Sequence, residues 1–147
     1  MLRLHFPKTS MMETHRLEFA TKGENDIVNI TESVQNVVMN SEAHDGSVNL
    51  FLQSTTSSLT IIEWEPGLLN DFRSAMDRIA SKSGIYEHEL AWHDGNGHSH
   101  IRSGIIGGSL SIPFAKKKLL LGQWQQLVLV EFDVGPRKRT VIMQIHV

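Results

Sequence analysis

The segment "KLLLGQWQQLVLVEFD" (118–133) predicts β structure, because it is rich in Leu and Val and has a polar turn at each end. Gly122 inside the run predicts a bulge or a close backbone approach rather than one long flat strand. A second β-rich run, "SLSIPF" (109–114), precedes this segment, and a third, "KRTVIMQIHV" (138–147), follows it after a Gly-Pro turn. We therefore predict three neighbouring antiparallel strands in the last third of the chain.

The upstream sequence contains both strand and helix patterns. "HRLEFAT" (15–21) alternates apolar and polar residues, which predicts a strand, and "SVNLFLQSTTSSLTII" (47–62) gives two further β-rich runs. Between them, "NITESVQNVVMNSE" (29–42) predicts a helix with Thr31 as its N-cap, because its apolar residues recur at helical spacing.

A second helix is predicted over "LLNDFRSAMDRIA" (68–80), after the Glu-Pro-Gly break at 65–67. Its apolar residues recur at intervals of three and four and form one stripe: Leu68, Phe72, Met76 and Ile79. We expect this stripe to pack on the sheet as part of the core. The strands and helices together predict a β-rich α+β fold.

The composition excludes several classes of function. Of the 147 residues, 40% are hydrophobic and 20% charged, and none is Cys, which excludes thiol nucleophiles, thiolate metal sites and redox roles. A formal charge of −2 argues against nucleic acid as a partner, because a phosphate backbone is met by clustered Lys and Arg. Side-chain oxygens and imidazoles must therefore carry any chemistry.

The chain also lacks the sequence signals of a membrane partner or of export. No stretch approaches the roughly 18 apolar residues of a membrane helix, and the first residues lack the apolar centre of a secretory signal. We therefore expect a cytoplasmic protein. Residues 1–11 are predicted to form a disordered N-terminal extension, and residues 12–147 a single domain.

Histidines cluster in "WHDGNGHSHIRSGIIGG" (92–108). His98 and His100 are two positions apart, so their rings share a side on an extended segment and diverge by about 200° on a helix. His88 can reach the same place if the Gly-rich loop folds back. The spacing is compatible with a zinc site and with a surface loop, and spacing alone favours the loop.

Three residues near this loop or at a strand end have two interpretations each. Asp94 and Asn96 can orient a histidine or bind a metal, and they are also ordinary turn residues. Glu63 ends a strand, where it can act as a base or be a surface charge. Ser99 is predicted to cap a short helix over 101–106, which would place His100 at the positive end of that helix.

Hydroxyls and arginines provide candidate contacts for phosphate. Ser54, Thr55 and Thr56 can hold phosphate oxygens, although Thr-rich strands are common without such a role. Arg137 and Arg139 flank the Gly-Pro turn, where they can bind an anion through two hydrogen bonds or be solvated.

Five stretches, taken in order, resemble one known family: "STTSSLTIIEWEPGLLNDF", "YEHE", "DGNGHSHIRSGIIGGSLSIP", "LLLGQWQQLVLVEFD" and "GPRKR". This order is similar to the YjbQ family, the secondary thiamine-phosphate synthase type, from about Gly46 to Val147. The resemblance implies an antiparallel β-sandwich with two main packed helices, assembled as a homotrimer.

The resemblance also implies a site for a divalent metal, zinc or magnesium, and a small phosphorylated molecule. Its candidate metal ligands are His88, His100 and, as a replacement, His98. Its candidate catalytic residues are Glu63, Asp94 and Asn96, with Asp71 as a helix carboxylate, and its candidate substrate-binding residues are Ser54, Thr55, Thr56, Arg137 and Arg139. Two positions depart from the family pattern, since Ser54 replaces a His and Ile62 replaces an Asn. Loss of one imidazole should weaken metal binding unless His98 or water replaces it.

Three functions follow from this site. The first is a synthase that joins an aminopyrimidine diphosphate to a thiazole phosphate and releases diphosphate. The second is a hydrolase of a phosphate or amide, in which a His-bound metal activates water and Glu63 is the general base. The third is a non-catalytic anion-binding module that has kept the arginine turn and lost the imidazole at Ser54.

Overall fold

Two antiparallel sheets organise residues 12–147, which are the residues that the computed structural model describes. In chain order the elements are β1 (Met12–Ala20), β2 (Ile27–Asn29), α1 (Thr31–Asn40), β3 (Gly46–Leu52), β4 (Ser57–Glu63), α2 (Pro66–Ile79), α3 (His88–Trp92), α4 (Gly97–Ile106), β5 (Ser109–Ala115), β6 (Lys118–Leu119), β7 (Gln125–Glu131) and β8 (Lys138–His146). The larger sheet has the order β1-β8-β3-β5-β6, and the smaller has the order β2-β7-β4. The prediction for residues 1–11 lies outside the described residues.

The central strand of the smaller sheet, β7, is buried on both faces. Leu127 and Leu129 point into a core shared with the larger sheet and with α1. Val128 and Val130 point the other way, into a second cluster that includes Leu69 of α2. The order of layers is therefore larger sheet, smaller sheet and helix α2. This arrangement confirms the predicted β-rich α+β sandwich. Of the predicted apolar stripe of α2, Phe72 and Met76 pack on the smaller sheet, with Leu69 beside them, whereas Ile79 is 53% exposed.

The three C-terminal runs do not form three neighbouring strands, so that prediction is wrong except for β5 and β6, the start of the second run, which pair antiparallel. β7 pairs with β2 and β4, whereas β5 and β8 lie on either side of β3 in the other sheet. The burial patterns give the physical reason. β8 alternates buried and half-buried residues and needs cover on one face, whereas β7 is apolar on both faces and needs cover on two.

Gly122 belongs to a turn rather than to a bulge. Its N–H donates to the Gln125 side-chain oxygen at 2.8 Å, and the Gln125 N–H donates to the Gly122 carbonyl at 3.0 Å. This turn divides the run 118–133 into β6 and β7, which lie in different sheets.

Both predicted helices form, with corrections at their N-termini. Ile30, not Thr31, occupies the N-cap position of α1, and the Thr31 hydroxyl instead accepts the N–H of Leu127 at 2.8 Å. α2 begins at Pro66, two residues before the predicted start, because the Glu65 carboxylate caps its first N–H groups. Among residues 12–147, no helix is long and apolar enough to span a membrane.

Replacement of Leu129 by Ala is expected to lower the free energy of unfolding by about 2–5 kcal/mol, because the side chain is fully buried between the two sheets. Leu120→Ala is the matched control, since Leu120 is exposed, and it should change the free energy by no more than about 0.5 kcal/mol. Urea unfolding measures both. Equal losses in the two variants would contradict the layer arrangement.

Candidate functional site

His88 and His100 come together where α3 meets α4. Their ring centroids lie 4.5 Å apart, with the ring planes tilted by 60°. Asp94 lies beside them, but its Oδ1 is 3.7 Å from His88 Nε2, which is too long for a hydrogen bond. His88 Nε2 is therefore buried without a hydrogen-bond partner in the described chain. Because buried polar atoms are nearly always paired, this nitrogen marks a place where the described chain leaves hydrogen-bonding capacity unused.

The loop between the two helices is held by Glu89. Its carboxylate accepts the N–H groups of Gly95 at 2.7 Å and Gly97 at 2.8 Å, and these two hydrogen bonds lower its pKa below the ordinary value of 4.5. His93 and Gly95 adopt left-handed backbone angles, with φ of 54° and 70°, and the chain turns back here, which meets the condition for His88 to reach His100. The chain's own carboxylate thus already lies at the N-terminus of α4.

The predicted cap at Ser99 is wrong. α4 begins at Gly97, so Ser99 lies inside the first turn, and its hydroxyl donates to the carbonyl of Phe132. A hydroxyl in this position can bond the neighbouring strand instead of its own helix because the side chain is fully buried against the end of β7.

A pocket of about 380 Å³ opens beside His100. Ser54 and Thr55 form one side of it, where the chain leaves β3. The other side is a face of α4, formed by His100, Ser103 and Gly104 at positions i, i+3 and i+4, and continued by the C-cap residue Gly107. A Cβ added at Gly104 would meet no atom within 4 Å, so this glycine faces open space. Three predicted site residues, Ser54, Thr55 and His100, therefore share one pocket.

Arg137 and Arg139 are already paired with carboxylates at the end of β7. Arg139 makes two hydrogen bonds to Glu131, of 2.7 and 2.6 Å, and a third, of 2.8 Å, to the Thr56 hydroxyl. Arg137 Nε donates to Asp133 at 2.8 Å. The two guanidinium groups that the sequence offered as anion ligands thus first neutralise acids of the chain itself.

Asp133 connects this charged network to the histidine loop. It accepts from Arg137, from the Thr56 hydroxyl at 3.3 Å and from the Asn96 amide at 3.5 Å. Burial alone would raise the pKa of Asp133, but the Val134 N–H and the Arg137 guanidinium more than offset burial, so the pKa lies below its ordinary value of 3.8. Asn96 Oδ1 is a second buried polar atom without a partner in the described chain.

His98 lies apart from the other two histidines, in a second buried cluster. Its Nε2 is 2.9 Å from Glu24. Arg102, only 1% exposed, contacts the same Glu24 at 3.4 Å and donates to the Ala80 carbonyl at 2.9 Å. Burial acts to raise the pKa of Glu24, but contacts with Lys82 and His98 lower it overall. This cluster holds α4 against the end of α2.

Glu63 lies at the opposite end of β4 from the histidine pocket. β4 has seven residues from Ser57 to Glu63, so its ends are roughly 20 Å apart. Glu63 instead lines another cleft, together with Trp64 and Trp124. Within one chain it cannot act on a molecule bound beside His100.

The donors around His88 do not close on one point. Within residues 12–147, no group of three or more His, Asp or Glu side chains is arranged to hold a metal ion. Ser54 supplies a neutral hydroxyl where the resemblance expects an imidazole, and His98 Nε2 is bound to Glu24. The arrangement therefore does not fit a resident metal.

The sequence reasoning missed Glu24, Arg102, Glu131 and Asp133. Glu131 did carry a partial signal, because it ends the apolar run "LVLV" and an acid that is buried there must be paired. Arg102 likewise lies among small and apolar residues of a helix. Nothing in the local sequence identifies Glu24 as the partner of residues more than 70 positions away.

A model of the family described as "UPF0047 protein YjbQ-like" matches residues 15–147. The chain belongs to this family. The UPF0047 protein of Archaeoglobus fulgidus is 36% identical over 119 residues, which cover 81% of this chain and 90% of that protein. The UPF0047 protein YugU of Bacillus subtilis is 30% identical over 126 residues, which cover 84% of this chain and 92% of that protein. The predicted resemblance is confirmed.

The fold is shared within the UPF0047 family. The crystal structure of a YbjQ-like protein of unknown function from Sulfolobus solfataricus matches with a TM-score of 0.83 at 25% identity, covering 92% of this chain and 99% of that one. A family member from Clostridium acetobutylicum matches with a TM-score of 0.77 at 34% identity, covering 88% of this chain and 98% of that one. The two sheets and the helices around the histidine pocket therefore belong to the family architecture.

Asp133→Asn is expected to lower the free energy of unfolding by about 2 kcal/mol at neutral pH, because charge-assisted hydrogen bonds are lost. Folding lowers the pKa of Asp133 below 3.8. Its carboxylate therefore contributes fully above pH 3.8, and the contribution is lost as the pH falls through the folded-state pKa. The difference in the free energy of unfolding between wild type and variant should therefore become smaller as the pH is lowered. Urea unfolding at neutral pH and in steps below pH 3.8 measures it, and a difference that widens would contradict the assignment.

Proposed function

We propose that this chain binds a small phosphorylated molecule in the pocket beside His100 and is a transferase of the thiamine-phosphate synthase type. The observation that carries the proposal is the pocket that His100 lines together with Ser54 and Thr55. The ring of His88, whose buried Nε2 has no partner in the described chain, packs against His100. Hydroxyls and imidazoles can both donate hydrogen bonds to phosphate oxygens. The open space at Gly104 leaves room for the rest of the ligand.

The reaction would join an aminopyrimidine diphosphate to a thiazole phosphate. The thiazole nitrogen forms a bond to the methylene carbon of the pyrimidine, and the bond from that carbon to the diphosphate oxygen breaks. The leaving diphosphate takes both electrons, so the main requirement is stabilisation of negative charge. Donors on Ser54, Thr55 and His100 can supply part of it, and a magnesium ion can arrive with the diphosphate as part of the substrate.

A non-catalytic binding module is the second candidate. It is favoured by Ser54, which replaces an imidazole of the family pattern, and by the pairing of Arg137 and Arg139 with internal carboxylates. A metal-dependent hydrolase has less support, because the donors around His88 do not close on a metal and Glu63 lies at the other end of β4.

The homotrimer is part of the same proposal. Large apolar side chains on α3 and α4 are exposed in the single chain, close to the histidine site: Leu90, Trp92, Ile101 and Ile105. Several large apolar side chains exposed on two neighbouring helices are typical of a protein interface. Association of three copies would cover it and would shield the pocket from water.

Purified protein should form thiamine phosphate and diphosphate from the two precursors in the presence of magnesium. His100→Ala should lower kcat/KM by about 100-fold, because a proton donor at the leaving group is lost. Glu42→Gln, a change on an exposed turn, is the control and should leave kcat/KM unchanged.

Each other outcome selects one alternative. Calorimetric binding of a precursor without any product would favour the binding module. Hydrolysis of a phosphoester that is lost with a chelator and in His100→Ala would favour the hydrolase. If the protein neither binds nor converts either precursor, the proposal of a phosphorylated ligand is rejected.

Gly104→Ala is expected to separate stability from ligand binding. Alanine should stabilise the helix by about 0.5–1 kcal/mol, because glycine is unfavourable inside a helix and the new methyl group meets no atom. The same methyl group enters the pocket, so precursor binding should weaken. Thermal unfolding and calorimetric titration measure the two effects. A variant that is more stable and binds with unchanged affinity would place the ligand elsewhere.

A further inference from the structure

A second cleft lies at the end of the smaller sheet, about 20 Å along β4 from the histidine pocket. It has a volume of about 360 Å³ and is lined by Asn29, Glu63, Trp64, Glu65, Gln123, Trp124 and Gln126. A neighbouring cleft of about 540 Å³ shares Asn29 and Gln126 with it and adds Glu32. The proposed transferase chemistry uses neither cleft.

Strand register places the two indoles together. Glu63 pairs with Gln125 at the last rung of the β4–β7 ladder, so Trp64 and Trp124 continue from adjacent strands at the same sheet end. Trp64 is 44% exposed and Trp124 is 65% exposed. Exposed indoles at a cleft usually mark a recognition surface, because a large aromatic ring gains most when it is covered.

The charged side chains that line the two clefts are all acidic. Three carboxylates line them, those of Glu32, Glu63 and Glu65, whereas neither lining contains Lys, Arg or His. Glu65 accepts two N–H groups of α2, which lower its pKa and keep it ionised. Within residues 12–147, the carboxylates of Glu32 and Glu63 have no hydrogen-bond or salt-bridge partner, so their charge is not neutralised by the chain.

We infer that this cleft binds a small organic cation, such as a quaternary ammonium or an N-alkylated heteroaromatic ring. An indole face attracts a cation through its quadrupole, and Trp is the best of the aromatic residues for this interaction. Glu63 adds a full negative charge in the same cleft. Asn29 donates to the Gln126 side-chain oxygen at 3.1 Å and accepts the N–H of Thr31 at 3.0 Å, so both polar atoms of its amide are already paired within the chain.

Choline and its uncharged isostere 3,3-dimethylbutan-1-ol are the matched probes. The chain contains three Trp, so three indole N–H signals appear in a proton–nitrogen NMR spectrum. Choline is expected to shift the signals of Trp64 and Trp124 in a saturable manner and to leave that of Trp92 unchanged, because Trp92 lies on α3. The isostere should cause little change at equal concentration, since it has the shape without the charge.

Variants test the two parts of the cleft separately. Trp124→Leu and Glu63→Gln should each raise the Kd for choline at least about threefold, in line with the strength of a single cation–π or charge contact. Glu42→Gln removes an exposed charge outside the cleft and should leave the Kd unchanged. Thermal unfolding confirms that each variant is folded.

Three results would overturn the inference. Equal shifts with choline and its isostere would show that the charge is not recognised. No saturable shift at either indole would show that the cleft does not bind this class. Indole N–H signals that shift with protein concentration but do not shift with choline would show that a second copy of the chain covers the cleft.

Discussion

The Glu131 carboxylate follows the apolar run Leu127–Val130 at the end of β7, and it is fully buried. Its position is tolerated because Arg139 binds it through two hydrogen bonds and the Thr21 hydroxyl donates a third. Arg139 lies on β8 in the larger sheet, and Glu131 ends β7 in the smaller one. This ion pair therefore fixes the two sheets to each other at one end.

The histidine pocket is built on that junction. Thr56, which receives a hydrogen bond from Arg139, follows Ser54 and Thr55 directly. Asp133, two residues after Glu131, holds Asn96 and so fixes the start of α4. Removal of either acid would leave a guanidinium unpaired and would loosen both walls of the pocket together. In this protein, the same hydrogen bonds hold the two sheets together and position the walls of the site.

Local patterns predicted the elements well and their partners poorly. The spacing of Leu68, Phe72, Met76 and Ile79 is a property of one segment, and it correctly gave the helix that covers the smaller sheet. The assignment of β7 and β8 to different sheets depends on which faces must be covered at once, and a single strand does not encode that. The same distinction applies to the site. The order of motifs grouped Ser54, Thr55 and His100 as candidate site residues. It could not show that Glu63 lies at the far end of β4 or that His98 is hydrogen-bonded to Glu24.

The order of strand pairing has a consequence for synthesis of the chain. β1, β2, β3 and β4 pair only with β5, β7 and β8, so every strand of the first half finds its partners after residue 108. β1 and β8 even join the two ends of the described chain. The N-terminal half emerges from the ribosome before these partner strands have been synthesised. Formation of the sheets must then wait until long loops close. The apolar strands β3 and β4 are thus unpaired for most of translation, which makes this fold dependent on late, nearly simultaneous assembly and on protection of the nascent chain until then.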